Sequence, residues 1–252
     1  MKALALDFDG VISDSVRESF AVALGSYLDL KPGSSLGQRD RDELYRKFLE
    51  LMPLGNRAED YGTTMIALDS RRSLPDQETY DAFRGAQDPR WLEHYHRRFY
   101  EVRAEMARTD PVGWRGLMRP YESFLRILRR RTGDAQYAIA TAKDRRSVDV
   151  LLREYGIDDL FSAALIMDKE SGEKKTAHLR QLREVLRLDF PEITFVDDKV
   201  NHLDAVAPLG VRCALAAWGY NDRREHELAA DRGYLVCRLE DVEQQLFGTA
   251  TP

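Results

Sequence analysis

Asp7 and Asp9 stand two residues apart, directly behind the apolar run Ala3-Leu4-Ala5-Leu6 and directly ahead of Gly10. Such a run emptying into acidic residues and glycine reads as a buried strand running into a polar loop. The spacing lets a curling loop aim both carboxyls at one point, and Gly10 permits close backbone approach. Three further features recur behind apolar runs or at a helix start: Thr141, the acidic pair Asp197-Asp198, and the basic pair Lys174-Lys175. Each has a plain structural use, since Asp and Thr form turns and helix caps and Lys is commonly a solvated helix residue. Gathered at one strand edge they would do more. Several crowded carboxylates repel, and a hard divalent cation with oxygen ligands is the usual remedy.

The elements needed to gather them are legible. From Tyr137 onward, short apolar runs alternate with helical segments, the mark of a parallel sheet with crossover helices. Strands are expected near residues 137–140, 163–167, 193–196, 212–216 and 235–237, with helices over 145–155, 176–187, 201–209 and 241–247. The first strand, isolated in sequence, must join that sheet because one strand cannot bury itself. Thr141 and both acidic pairs then end strands on the carboxyl edge, where open parallel sheets bind ligands. Asp14 reads as the N-cap of a helix from Ser15 to about Leu28, and residues 32–37 form a break. Up to about Asp110 the pattern is helical: Leu44, Phe48 and Leu51 share one helix face, as do Trp91, Tyr95, Phe99 and Val102. The fold expected is α/β, a Rossmann-like parallel-sheet core of residues 1–14 and 115–252 with an inserted helical domain at 15–114.

With 43% hydrophobic and 32% charged residues, the composition is that of a globular chain able to bury a core. A net charge of −5 excludes any general attraction to nucleic acid or anionic membrane. An anionic substrate must be handled locally. Cys213 and Cys237 lie in separate apolar runs and read as buried free thiols. The apolar stretch before Asp7 is too short for a signal peptide and no later run reaches membrane-spanning length, so a cytoplasmic protein is expected.

In order and type, the four features resemble the motifs of the haloacid dehalogenase superfamily: Asp-x-Asp-Gly after the leading strand, a Ser or Thr, a Lys, and an acidic pair. The stretch from Thr141-Ala142-Lys143-Asp144 to Tyr155-Gly156-Ile157-Asp158-Asp159-Leu160-Phe161 is similar to the corresponding stretch of its phosphatase branch, and Trp218-Gly219-Tyr220 is similar to a segment of phosphoglycolate phosphatase-like members. The inserted helices match only in position, where that branch carries a mostly helical cap. The resemblance implies a magnesium-dependent phosphatase acting on a small phosphorylated metabolite. Asp7 would attack phosphorus to form an aspartyl phosphate, and Asp9 would protonate the leaving oxygen and then deprotonate water. It implies Mg2+ held by the Asp7 side chain, the Asp9 carbonyl and Asp198, with Asp197 beside it and able to exchange roles. Magnesium suits such a site because it keeps several waters and needs few carboxylates. Thr141, backbone N–H groups around Phe8 and Ala142, and a lysine would meet charge on the phosphoryl oxygens. Lys175 is favoured for that lysine because it stands four residues before Leu179, and Lys174 stays open.

Within the superfamily, dehalogenases and phosphonate hydrolases resemble the chain but lack the second acidic residue, so Asp9 argues against both. β-Phosphoglucomutase-like mutases share every core motif but carry a helix-borne His where this chain has Ser19. A non-catalytic binding protein on the same core is the remaining alternative. Arg57 and Tyr61, one turn apart in the insert, are candidate substrate contacts or an ordinary surface pair. His94 and His96 do not share a helix face and read as solvated surface rather than a metal pair. Arg129-Arg130-Arg131 reads as a helix-end charge cluster and Asp204 as a helix-surface charge. Oligomeric state is open.

Overall fold

The structure is a computed structural model and describes residues 1–55, 57–172 and 174–248. The chain forms two compact units, Met1–Asp14 with Arg119 onward, and Ser15–Met118.

Strand β1 (Ala3–Leu6) is buried on both faces, and a short strand β2 (Ser13–Asp14) follows the acidic loop. The helical unit then runs α1 (Val16–Leu30), α2 (Arg41–Leu51), α3 (Ala58–Asp69), α4 (Gln77–Gly85), α5 (Pro89–Thr109) and α6 (Pro111–Gly116). The chain returns through β3 (Arg119–Pro120), paired antiparallel with β2. Next come α7 (Glu122–Arg130), β4 (Gln136–Ala140), α8 (Arg145–Glu154), β5 (Ile166–Met167), α9 (Lys175–Leu186), β6 (Ile193–Asp197), α10 (Val200–Val206), β7 (Arg212–Ala216), α11 (Arg223–Asp231), β8 (Leu235–Cys237) and α12 (Val242–Phe247).

The main sheet has six parallel strands in the order β5-β4-β1-β6-β7-β8. β1 sits inside it with β4 on one side and β6 on the other, so the strand order diverges there, and the crevice for a ligand opens at the carboxyl end of such a strand. Alternation along the strands sends Ala3, Ala5, Ala138 and Ala140 into one core layer with Leu179, Leu182, Leu203 and Val206 of the crossover helices. Small residues there let α9 and α10 pack close to the sheet.

The helical unit is built around an aromatic stripe. Phe48 lies 5.5 Å from both Phe20 and Tyr61, Tyr61 lies 5.5 Å from Phe99, and Tyr95 stacks on Trp91 at 5.3 Å. The Tyr95 hydroxyl donates to the Ala23 carbonyl at 2.9 Å, and a side chain at Gly62 would overlap its ring. Inside this unit Glu18 is fully buried and accepts two hydrogen bonds from Arg103, at 2.7 and 2.8 Å.

Several expectations are corrected. Asp14 is not an N-cap: it lies in β2 opposite Arg119, and Ser15 takes the cap position without a side-chain capping hydrogen bond, because pairing with β3 keeps residue 14 extended. Of the strand expected at 163–167 only Ile166 and Met167 pair, while Ala163–Leu165 forms a 3-10 turn whose Ala163 carbonyl is taken by the Arg145 guanidinium at 3.1 Å. The helix expected to reach Leu209 ends at Val206 and passes into a 3-10 turn around Pro208. Helix α11 was not anticipated, because its sequence is largely charged and buries only Glu225 and Ala229; Asp222 caps it by accepting from Glu225 N–H at 3.0 Å. Asp204 is paired with Arg232 and accepts from the Tyr234 hydroxyl at 2.9 Å.

The Glu18–Arg103 pair generates a stability prediction. Arg103→Met strands a buried carboxylate, a change that costs about 3–5 kcal/mol. Urea unfolding should show the midpoint falling by the corresponding amount, with part recovered in Glu18→Gln/Arg103→Met.

Candidate active site

β1 delivers Asp7 to the carboxyl edge, its N–H bonded to the Val196 carbonyl of β6 at 2.9 Å. The loop then curls: Phe8 C=O accepts from Ile12 and Ser13 N–H groups, each at 2.9 Å, and Gly10 adopts φ +81° to make the turn. That positive φ is the conformation for which glycine is needed. Asp7 is buried, and its Oδ1 lies 2.7 Å from Lys175 Nζ and accepts the Phe8 N–H at 2.7 Å. Burial pushes its carboxyl up to about 6, against the Lys175 charge, which lowers it, and with Asp197, which raises it further.

Lys175 opens α9 and is itself buried, its Nζ donating to the Ala140 carbonyl at 2.7 Å and lying 3.3 Å from Asp197 Oδ2. Burial opposes its charge, but the Asp7 and Asp197 carboxylates outweigh this and hold its pKa above the usual lysine value. Lys174 is exposed at the N-cap of α9 and is not brought to the cluster. The loop ahead of α9 is anchored by His178, whose Nε2 donates to the Gly172 carbonyl at 2.7 Å.

Asp197 and Asp198 are adjacent, buried and electrostatically opposite. Burial disfavours the Asp197 carboxylate, yet His202 and Lys175 reverse the balance and hold its pKa below the usual carboxylate range. Its Oδ1 accepts from Lys199 N–H at 3.0 Å and lies 3.0 Å from His202 Nδ1. Asp198 accepts one hydrogen bond from Tyr220 N–H at 2.7 Å, and burial, followed by the charges of Asp197 and Asp7, drives its pKa well above the usual value. Gly10 and Gly219 both face this carboxylate, and a Cβ on either would overlap it. Trp218 Nε1 donates to the Val11 carbonyl at 3.2 Å, so the Trp218-Gly219-Tyr220 stretch braces the acidic loop.

Thr141, at the end of β4, is buried with its N–H on the Met167 carbonyl at 2.9 Å and its hydroxyl accepting from Lys143 N–H at 3.1 Å. Ala142 beside it is exposed. Asp9 lies against Lys143, whose Nζ is 3.0 and 3.2 Å from its two carboxylate oxygens. Lys143 and His202 are site neighbours to which the sequence assigns no role. Their signals, a basic residue two after Thr141 and a His five after Asp197, are too common to stand out.

The two candidate contacts in the helical unit separate: Arg57 is exposed at the start of α3, whereas the Tyr61 ring is packed between Phe48 and Phe99. The aromatic stripe, which needs a residue at that position, claims Tyr61. His94 is exposed and His96 lies against Glu59.

Among the described residues, Asp7, Asp197 and His202 offer ligand atoms within 4.8 Å of one another. The Asp197 oxygens are already engaged by Lys175, Lys199 N–H and His202, which makes Asp197 a poor donor to an ion. Asp198 fits better: a buried carboxyl pressed by two neighbouring negative charges, cradled by two glycines, gains most from a divalent cation. With Asp7 beside it, the donor set is hard oxygen, which suits Mg2+.

A family model described as haloacid dehalogenase-like hydrolase matches residues 1–210. Among solved structures, the chain is similar to two proteins each described by inference as a phosphoglycolate phosphatase. One is from Lactobacillus delbrueckii subsp. bulgaricus, 16% identical with a TM-score of 0.72, covering 98% of this chain and 99% of that one. The other is from Haemophilus somnus, 18% identical with a TM-score of 0.63, covering 96% of each. A subfamily IA hydrolase from Geobacter sulfurreducens is 20% identical with a TM-score of 0.52, covering 92% of this chain and 96% of that one. No curated protein matches. At these identities the structures speak for the fold.

The Asp198 cradle predicts a readable metal effect. Mg2+ should raise the thermal unfolding temperature of the wild type, by up to about 2.7 kcal/mol of stabilisation when present at a hundredfold its dissociation constant. Asp198→Asn should lose most of that increment; an unchanged response would remove Asp198 from the ligand set.

Proposed function

The chain belongs to the haloacid dehalogenase-like hydrolases, and on that premise we propose that it is a magnesium-dependent phosphatase that hydrolyses a small phosphorylated metabolite through a phosphorylated Asp7. The observation that carries this reading is the pairing of each loop carboxylate with its own buried ammonium: Asp7 with Lys175 at 2.7 Å and Asp9 with Lys143 at 3.0 Å. Two carboxylates placed side by side in different surroundings can take different roles.

Asp7, fixed by Lys175 and the Phe8 N–H, is the nucleophile toward phosphorus. Lys175 meets the negative charge gathered where Asp7 and the phosphoryl oxygens converge, together with the Thr141 hydroxyl and the N–H groups around Phe8 and Ala142. Asp9, on the more open side of the loop, gives a proton to the departing alcohol oxygen and later takes one from the water that hydrolyses the aspartyl phosphate. Mg2+, when held by Asp7, the Asp9 carbonyl and Asp198, supplies charge neutralisation for the carboxylates and the phosphate. Asp197 acts by keeping Lys175 in place. The helical unit is taken as the cap that selects substrate. Supporting a small organic phosphate are the local handling of charge in an acidic chain and the phosphoglycolate phosphatase descriptions of two structural neighbours.

A panel of metabolite and aryl phosphates, assayed for phosphate release with Mg2+ and with chelator, tests the reading. Wild type should release phosphate only with the metal, Asp7→Asn should reduce turnover to background, and Asp9→Asn should lower it by about 10²–10⁴-fold. Equal activity in Asp7→Asn and wild type would end the proposal.

A further inference from the structure

Lys143 lies in the stretch that resembles the phosphatase branch but is given no role there, yet its side chain is 1% exposed and its ammonium lies 3.0 and 3.2 Å from the two oxygens of Asp9. Burying an ammonium is costly unless it is paired, so a lysine in this position answers to a specific carboxylate. Its root is pinned on both sides: Lys143 N–H donates to the Thr141 hydroxyl at 3.1 Å, and Lys143 C=O accepts from Lys169 N–H at 3.1 Å. The Nζ also lies 5.9 Å from the centroid of the Phe8 ring, on the residue between the two aspartates. A rigid base, a buried stem and a head that touches both oxygens together fix the plane of the Asp9 carboxyl. A carboxylate has about four lone-pair sites, so one ammonium spanning both oxygens does not by itself use them all.

We propose that Lys143 is the positioning residue for Asp9, holding its carboxyl aimed at the leaving oxygen, so that losing Lys143 damages proton transfer to the departing alcohol rather than attack by Asp7. This rests on the reading of Asp7 as nucleophile and Asp9 as acid and base. Asp9 is 33% exposed at its side chain and sits on a loop, and a group that must serve two proton transfers from such a place requires an anchor. Lys175 cannot be that anchor, since its ammonium is taken up by Asp7, Asp197 and the Ala140 carbonyl. The site therefore carries two lysines with divided duties, one for the attacking group and one for the proton carrier.

The test is leaving-group dependence. For a series of aryl phosphates running from 4-nitrophenyl phosphate to phenyl phosphate, kcat/KM reports events up to departure of the phenol, and poorer leaving groups need the proton more. Lys143→Met should lose about 100-fold or more on phenyl phosphate, within the range general acid catalysis contributes, but only a few-fold on 4-nitrophenyl phosphate, giving a steeper dependence on leaving-group basicity. Lys143→Arg, which keeps a cation, should recover a shallower dependence; a uniform loss in Lys143→Met across the series overturns the proposal. Circular dichroism checks that Lys143→Met is folded, and Lys143→Gln is read in the same way if it is not. Failure of the parent reading looks different: wild type then releases no phosphate, or Asp7→Asn stays active, on every ester.

Discussion

One buried ammonium holds the carboxyl edge of the sheet together. Lys175 reaches from the first turn of α9 to Asp7 at the end of β1, to Asp197 at the end of β6 and to the last carbonyl of β4. Three adjacent strands thus end on the same side chain. Without it, Asp7 and Asp197 would face each other as like charges in a site shielded from water, where their repulsion is strongest. The strand order makes this convergence possible, because β1 is the strand from which the sheet extends in both directions.

That anchoring sorts the acids. Asp197, held by Lys175 and His202, is kept ionised, while Asp198, one residue on, has burial and two negative neighbours against it. Asp7 lies between, its carboxyl raised by burial and restrained by Lys175. Adjacent residues of one type acquire unlike chemistry because backbone alternation turns them toward different partners. The glycines at 10 and 219 complete the arrangement by leaving space that a side chain would occupy.

The sequence displayed most of the core. Strands 212–216 and 235–237 coincide with β7 and β8, since short apolar runs between polar turns have few other uses. What stayed hidden was set by tertiary pairing: β2 and β3 are two residues each and exist only because they meet, and Ala163–Leu165 turns because a side chain takes its carbonyl. At the site, Asp7, Asp9, Thr141, the acidic pair and the Lys174-Lys175 pair stand out by type and order, with the choice between the two lysines left open by the sequence. Lys143 and His202 do not, because nothing in one sequence distinguishes a lysine buried on a carboxylate from one in solvent. Tyr61 shows the converse, a polar-tipped residue one turn from Arg57 that is held inside by its ring.

The antiparallel pairing of Ser13–Asp14 with Arg119–Pro120 sets the two crossings between the units one strand spacing apart, about 5 Å. A segment whose ends leave and return side by side is a cassette. A tight turn could join Asp14 to Arg119 with little loop-closure entropy, so helical inserts of other lengths and sequences can be exchanged there without disturbing the register of the sheet. The same stem that admits one insert would admit another while the carboxyl edge of the sheet stays unchanged.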